Sequence, residues 1–315
     1  MKERHLILGI GELLWDVLPE GPPLLGGAPA NFAVMAARLG NHAAILSRIG
    51  RDELGEKAVE LLEMLPTDTS FLQVDPAQET GRVTVSFEHS RPSYTIHQPA
   101  AWDFLELTDE WVQLAERADA VCFGSLAQRS AESRQTIQTL VAQTPASCVR
   151  VFDVNLRAPF YSGEVIRESL ELATVLKMND AEASQMLALL GLPALLDSPI
   201  QDESAPGTMR FIAGQLLKEF PSLQMVAVTR GEHGSLLVTR EEDHEHPGIP
   251  VQVADTIGAG DAFTAAMTHY LLRGAPLETL NEAGNLWGAW AATQPGAMPM
   301  LPDAVRAQIA AAIED

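Results

Sequence analysis

Short apolar runs at residues 6–10, 121–123, 149–154, 175–178 and 225–228 alternate with longer stretches of helical apolar spacing at 31–39, 54–65, 108–117, 132–142, 180–190 and 210–220. Runs that short and that apolar are buried on both faces, as parallel strands are, and strands alternating with helices fold as a doubly wound, mainly parallel α/β sheet flanked by helices. In such sheets ligands bind beyond the carboxyl ends of the strands, so the chemistry is expected in the loops that follow these runs. One interval departs from the alternation. Between residues 81 and 104 the segments Val83 to Glu88 and Tyr94 to His97 alternate with period two and read as a β-hairpin on one edge. Residues 195–209, rich in Pro, Ser, Asp and Gly, read as an exposed loop.

With 315 residues the chain suits one large α/β domain spanning 1–315 with a small β appendage. A formal net charge of -21 argues against nucleic-acid or anionic-membrane partners, because a phosphate backbone demands a broad basic surface. An anionic small substrate would have to be held locally, by backbone amides, a few arginines and a divalent cation. The two cysteines, Cys122 and Cys148, sit in or beside apolar runs without metal-ligand spacing and are expected as reduced core residues of a cytoplasmic protein. The apolar stretch before Glu12 is too short for a signal sequence or a membrane span.

The most chemically suggestive stretch runs from Asp255 to Asp261, Asp-Thr-Ile-Gly-Ala-Gly-Asp, followed by the apolar Ala-Phe-Thr-Ala-Ala-Met. Gly258, Ala259 and Gly260 are small enough for backbone N–H groups to converge, and the apolar run reads as a buried helix starting there. A helix start carries unpaired N–H groups and a partial positive charge, so a phosphate suits it. Asp261 in the first turn either stabilises the helix dipole or acts as general base on a substrate hydroxyl. No Gly-Lys-Ser/Thr follows the glycines, so this is not a Walker loop. Gly26, Gly27 and Asn31 precede another apolar helix and read either as a tight turn with a cap or as a grip on a polyol. Asp153, Asn155 and Arg157 bring a carboxylate, an amide and a guanidinium to the end of a strand. Asn179 and Glu182 have the spacing of a capping box, a role compatible with Glu182 holding Mg²⁺ through water. Gly9-Ile10-Gly11 lacks the third glycine of a dinucleotide fingerprint.

Asp-Thr-x-Gly-Ala-Gly-Asp-Ala-Phe at 255–263 resembles the C-terminal signature of the ribokinase/fructokinase (PfkB-type) carbohydrate kinases, and Gly-Gly-x-x-x-Asn at 26–31 resembles their N-terminal sugar-binding signature. The resemblance runs from Gly11 to Pro302, and Gly-Glu-x-x-x-Asp at 11–16 with Asp-x-Asn-x-Arg at 153–157 is most similar to the fructokinase branch. It implies an ATP- and Mg²⁺-dependent sugar kinase with a small β lid formed by strands from about 11–18 and 81–104. In that scheme Asp261 is the base, and Gly258, Ala259 and Gly260 form the anion hole. Asp16, Gly26, Gly27, Asn31 and Arg157 serve the sugar, while Asn179, Glu182, Thr229, Gly231 and Asn285 serve the nucleotide. Trp287 and Trp290 are expected to pack rather than stack on adenine. Fructose is the leading substrate, with ribose, 2-keto-3-deoxygluconate and, last, a nucleoside as alternatives; a keto acid would call on Arg157 or Arg91 for its carboxylate. A sugar-binding regulator without chemistry is the rival of another class. Family members also hold a monovalent cation, which implies Asp255, Ile257 and Gly296 as a K⁺ site here. Met300 stands where a serine ligand is expected, and a thioether is a poor ligand for a hard cation. A homodimer is compatible with the family and is left open by the sequence.

Overall fold

In the computed structural model, which describes residues 4–17, 19, 21–88, 91–192 and 206–314, the chain builds three sheets. The strands are β1 (Leu6–Ile10), β2 (Leu14–Val17), β3 (Leu24–Gly26), β4 (His42–Leu46), β5 (Arg48–Gly50), β6 (Gln73–Asp75), β7 (Gly81–Glu88), β8 (Arg91–Ile96), β9 (Ala120–Gly124), β10 (Val149–Asp153), β11 (Val175–Asn179), β12 (Met225–Thr229), β13 (Ser235–Val238) and β14 (Asp243–His246). The helices are α1 (Ala28–Arg38), α2 (Glu53–Glu63), α3 (Asp109–Ala115), α4 (Ala131–Gln143), α5 (Gly163–Leu172), α6 (Asp180–Leu190), α7 (Pro206–Glu219), α8 (Ala259–Leu271), α9 (Leu277–Ala292) and α10 (Asp303–Glu314).

The large sheet has the order β14-β13-β12-β11-β10-β9-β1-β4, parallel from β4 to β12 and antiparallel at β13 and β14. Successive side chains alternate between its faces. Val226 and Val228 therefore join one core with α3 to α7, while Met225 and Ala227 join another with α1, α8 and α9. Burial on both faces is why the central strands read as unbroken apolar runs. The expected doubly wound sheet is present, with additions. β4 is a short alanine-rich edge strand, and β14 reads Asp-His-Glu-His, whose polar side chains give no strand pattern. Helix α5 opens on a serine cap, Ser162, which accepts a hydrogen bond from the Val165 N–H, and it also lay outside the expected set.

The small sheet, β3-β2-β7-β8, corrects the expected lid boundaries. Residues 11–13 are not strand, and β3 joins the sheet by antiparallel pairing with β2. Beyond Ile96 the chain leaves the sheet, and Ala101–Phe104 form a 3₁₀ turn whose Trp102 is fully buried. Gly81 belongs at its place because a Cβ there would sit 2.2 Å from the Trp102 indole nitrogen. Leu18, residues 195–205 of the expected exposed loop and the side chain of Arg91 lie outside the described residues, while 206–209 open α7 instead of continuing a loop. Among the described residues no helix is long and apolar enough to cross a membrane, and both cysteines are free and buried.

Candidate active site

Helix α8 is buried along most of its length and packs between α1 and α9, where Gly284 makes room for the Phe263 ring. Its start is fixed by two glycines with different reasons. Gly258, the N-cap residue, has φ 79°, and a Cβ there would lie 2.7 Å from the Ala297 carbonyl oxygen. Gly260 has no positive φ; its missing side chain leaves room for the Lys177 ammonium, 3.0 Å from where a Cβ would be. Asp255 clamps the approach, one oxygen accepting from the Ile257 N–H at 3.0 Å and the other from the Gly296 N–H at 3.1 Å. Ala259 departs from its expected part in the anion hole, since its N–H already donates to the Thr256 carbonyl at 3.3 Å. The N–H groups of Gly258, Gly260 and Asp261 have no acceptor among the described residues.

Asp261, in the first turn of α8, is 9% exposed and accepts a 2.7 Å hydrogen bond from Asn31 Nδ2. Burial, followed by repulsion from Asp153, raises its pKa to about 6, against the pull of Lys177, Asn31 and Arg157. Behind it Lys177 lies 3.1 Å from Asp153, and the Thr264 hydroxyl stands 3.1 Å from the other Asp153 oxygen. Burial works against the Lys177 charge, but Asp153, Asp261 and Glu182 hold its pKa above the ordinary value.

A cavity of about 950 Å³ opens in front of this helix start. On its β1 side it is lined by Glu12, Asp16, Gly27, Asn31 and Arg157. Gly27 has φ 118°, and a Cβ would fall 2.3 Å from the Glu12 carbonyl oxygen, so its bareness serves the fold before any ligand. Gly26 does not line the cavity; it pairs with Leu14 inside the small sheet. Asp16 is half-buried, and burial raises its pKa, with Arg157 opposing and Asp255 adding. Glu12 is 4% exposed and pushed up to about 7 by burial, although the N–H groups of Glu12 and Ala28 stabilise its charge. Glu12 Oε2 and Asn31 Oδ1 have no hydrogen-bond partner among the described residues.

On the β12 side the lining includes Asn179, Thr229, Gly231, Asn285, Ile257 and the apolar Val251, Val253 and Ala292. Asn285 donates to Ser235 Oγ at 2.7 Å and to the Asn281 carbonyl at 2.8 Å, which leaves its Oδ1 with no donor among the described residues. Asn179 and Glu182 form the capping box of α6, and Glu182 also accepts from the Leu156 N–H at 2.8 Å. Glu182, Asp255 and Gly296 stand outside the cavity wall, as do Trp287 and Trp290, which meet edge to face. Sequence reasoning missed Glu12 and Lys177 as site residues. A lysine inside an otherwise apolar strand, two positions before Asn179, was the available signal for the latter.

The family model described as pfkB family carbohydrate kinase matches residues 24–304. The chain is 30% identical over 312 residues to PH1459 of Pyrococcus horikoshii, described as an uncharacterized sugar kinase, covering 93% of this chain and 91% of that protein. It is 30% identical over 317 residues to the fructokinase of Escherichia coli, covering 93% and 95%. Among solved structures, that of PH1459 superposes with TM-score 0.77 at 30% identity, covering 93% of both chains. The fructokinase of Vibrio cholerae O395, solved with fructose, ADP and calcium ion, gives 0.77 at 26% identity and covers 97% of this chain and 98% of that one. The chain therefore belongs to the pfkB family of carbohydrate kinases, and its α/β fold is ribokinase-like.

Proposed function

We propose that the enzyme transfers the γ-phosphoryl group of ATP to a primary hydroxyl of a small sugar, with fructose as the leading acceptor. The observation that carries this reading is the buried Asp261 beside unpartnered amides at the start of α8, all facing one cavity. Asp261 takes the hydroxyl proton while the hydroxyl oxygen forms its bond to phosphorus. The bond from phosphorus to the β-phosphate oxygen breaks, and ADP leaves with that electron pair. Asn31 orients the carboxylate through its 2.7 Å hydrogen bond. The amides of Gly258 and Gly260 meet the charge on the phosphoryl oxygens. Asp16, Gly27 and Asn31 receive the sugar, and Thr229, Gly231 and Asn285 receive the nucleotide. Bound together with ATP, Mg²⁺ would supply charge neutralisation at the phosphates. Glu182 stands outside the cavity wall and each of its oxygens already accepts a backbone N–H, so it would act on that ion only through water. The small sheet covers the sugar as a lid.

Fructose is favoured by the Gly-Glu-x-x-x-Asp and Asp-x-Asn-x-Arg segments and by the fructokinases among the relatives. Arg157 supports 2-keto-3-deoxygluconate as a second reading: it lines the cavity, and its hydrogen bond to the Leu156 carbonyl leaves guanidinium donors over. ADP release at fixed Mg·ATP, measured over fructose, ribose and 2-keto-3-deoxygluconate, tests both. The highest kcat/KM is expected for fructose. No ADP release above background with any sugar would overturn the kinase mechanism in favour of a sugar-binding regulator.

A further inference from the structure

We propose that Lys177 binds the transferred phosphoryl group, its ammonium completing the anion site that the amides of α8 begin; the inference rests on the kinase reading above. Lys177 sits in β11 between Leu176 and Met178, both fully buried, and is itself 4% exposed. An ammonium has three N–H donors. Asp153 Oδ1, at 3.1 Å, is its hydrogen-bond acceptor among the described residues, so the remaining donors are unmatched. They are not remote from the chemistry. Lys177 lines the cavity together with Asp261, and its ammonium abuts Gly260, whose own N–H has no acceptor among the described residues.

The charges around the cavity make the same point. Glu12, Asp16 and Asp261 present carboxyl groups to it, and a phosphoryl group brings more negative charge to the same wall. Arg157 lines the cavity but is exposed, whereas Lys177 is enclosed, where water screens its field least. A purely structural reading makes Lys177 the neutraliser of Asp153. That reading leaves the surplus donors unexplained, and an apolar pair of similar volume would fill the strand at no cost or a gain in stability. Asp153, braced by the Thr264 hydroxyl, instead holds the ammonium in place for a third party.

The test compares wild type with Lys177→Met, Asp153→Asn and the double variant. The readouts are kcat, thermal stability, and calorimetric affinities for Mg·ADP and the non-hydrolysable β,γ-imido analogue of Mg·ATP. Lys177→Met is expected to lower kcat by about 10²–10³-fold, the scale of removing one preorganised donor from a developing charge. It should also weaken the imido analogue at least tenfold more than ADP. The double variant, which removes both members of the Lys177–Asp153 ion pair, should regain stability while keeping both defects. Recovery of wild-type kcat in the double variant, or equal loss of ADP and analogue in Lys177→Met, would show Lys177 to be structural. If wild type binds nucleotides yet phosphorylates no sugar, the kinase reading falls, and an equal response of ADP and analogue to the substitution then overturns the lysine assignment as well. A wild type that binds neither nucleotide overturns both.

Discussion

The two sides of the cavity are built on opposite terms. The β1 side buries polar groups: Glu12, Asn31 and Asp261 are 4%, 5% and 9% exposed, with Glu12 Oε2 and Asn31 Oδ1 unpartnered among the described residues. The β12 side exposes apolar ones, with Val251, Val253 and Ile257 at 37%, 57% and 37%. In the sheet β1 and β12 are separated by β9, β10 and β11, so the two sides lie roughly 19 Å apart at the usual strand spacing. Each side holds what folding alone disfavours. Dry acceptors without donors are costly, and a ligand lacking the matching hydroxyls leaves them so, which under the proposed assignment would make the β1 side selective. Exposed valines gain from any flat apolar ring, which under the same assignment would give the β12 side affinity with tolerance. The acceptor sugar is thus expected to be chosen more strictly than the donor base.

Asp261→Asn gives the largest expected break in this comparison. Loss of the base should lower kcat by about 10²–10⁴-fold while calorimetric nucleotide affinity changes little. Near-normal turnover would remove Asp261 from its role. The same residue sets the acid limb of wild-type kcat/KM. A base acts only when ionised, so with its pKa raised to about 6 activity should fall as pH drops through about 6. A limb near the ordinary carboxylate value would show a solvated aspartate.

Buried carboxyls also leave a mark on stability. A carboxyl raised by burial favours the fold when protonated, and that contribution is present below its unfolded pKa and lost as pH rises through the folded one. Asp261→Asn should therefore be more stable than wild type at pH 8, by up to roughly 3 kcal/mol from a shift of about two units. The advantage should vanish toward pH 4, as thermal melts across pH will show. The Glu12→Gln melt should behave likewise, because Glu12 is raised to about 7. A gain that persists unchanged at pH 4 would mean repacking rather than charge.

The next two effects set the sides against each other. Asp16→Ala should cost about 1–3 kcal/mol in kcat/KM for sugar, the penalty for leaving a substrate hydroxyl unpaired, with the KM for ATP hardly altered. Val253→Ser should do the reverse on a smaller scale. Covering one half-exposed valine contributes on the order of 1 kcal/mol, so the KM for ATP should rise a few-fold and sugar KM stay constant. Steady-state kinetics of both variants with both substrates decide this. Equal loss for both substrates in either variant would mean that the two sides are not separable.

What could be read beforehand depended on whether a signal was local. The central strands, the start of α8 and the capping box of Asn179 and Glu182 each follow from neighbouring residues, and they stand where the pattern placed them. Residues whose part depends on distant contacts were less legible. Gly26 and Gly27 looked alike, yet one is a strand residue and the other is pressed against the Glu12 backbone. Gly258 and Gly260 looked alike too, yet the second is small for the sake of Lys177, 83 positions earlier in the chain (260 less 177). Ala259 looked like a free amide until the turn closed on Thr256. β14 carried no apolar alternation because an edge strand is held by backbone pairing, which side chains need not advertise.

The smallest effect concerns the loop that joins the two sides, where the cation response is expected to be weak. Met300, standing where a serine ligand was expected, is 74% exposed and does not line the cavity. Asp255 already spends both oxygens on the amides of Ile257 and Gly296, at 3.0 and 3.1 Å, which ties the C-terminal loop to the turn before α8. A turn held by two such hydrogen bonds depends less on an ion to keep its amides aligned, since Asx-type bonds are themselves a local alternative to other backbone partners. Replacing potassium by a bulky organic cation at constant ionic strength should therefore change the initial rate by less than about threefold, or roughly 0.6 kcal/mol. Asp255→Ala should do more harm than cation removal, because it frees both strands of the turn at once. An enzyme silent without potassium, or an Asp255→Ala variant fully rescued by it, would show that carbonyls and water complete a cation site here and that the ion, rather than the carboxylate, fixes the start of α8.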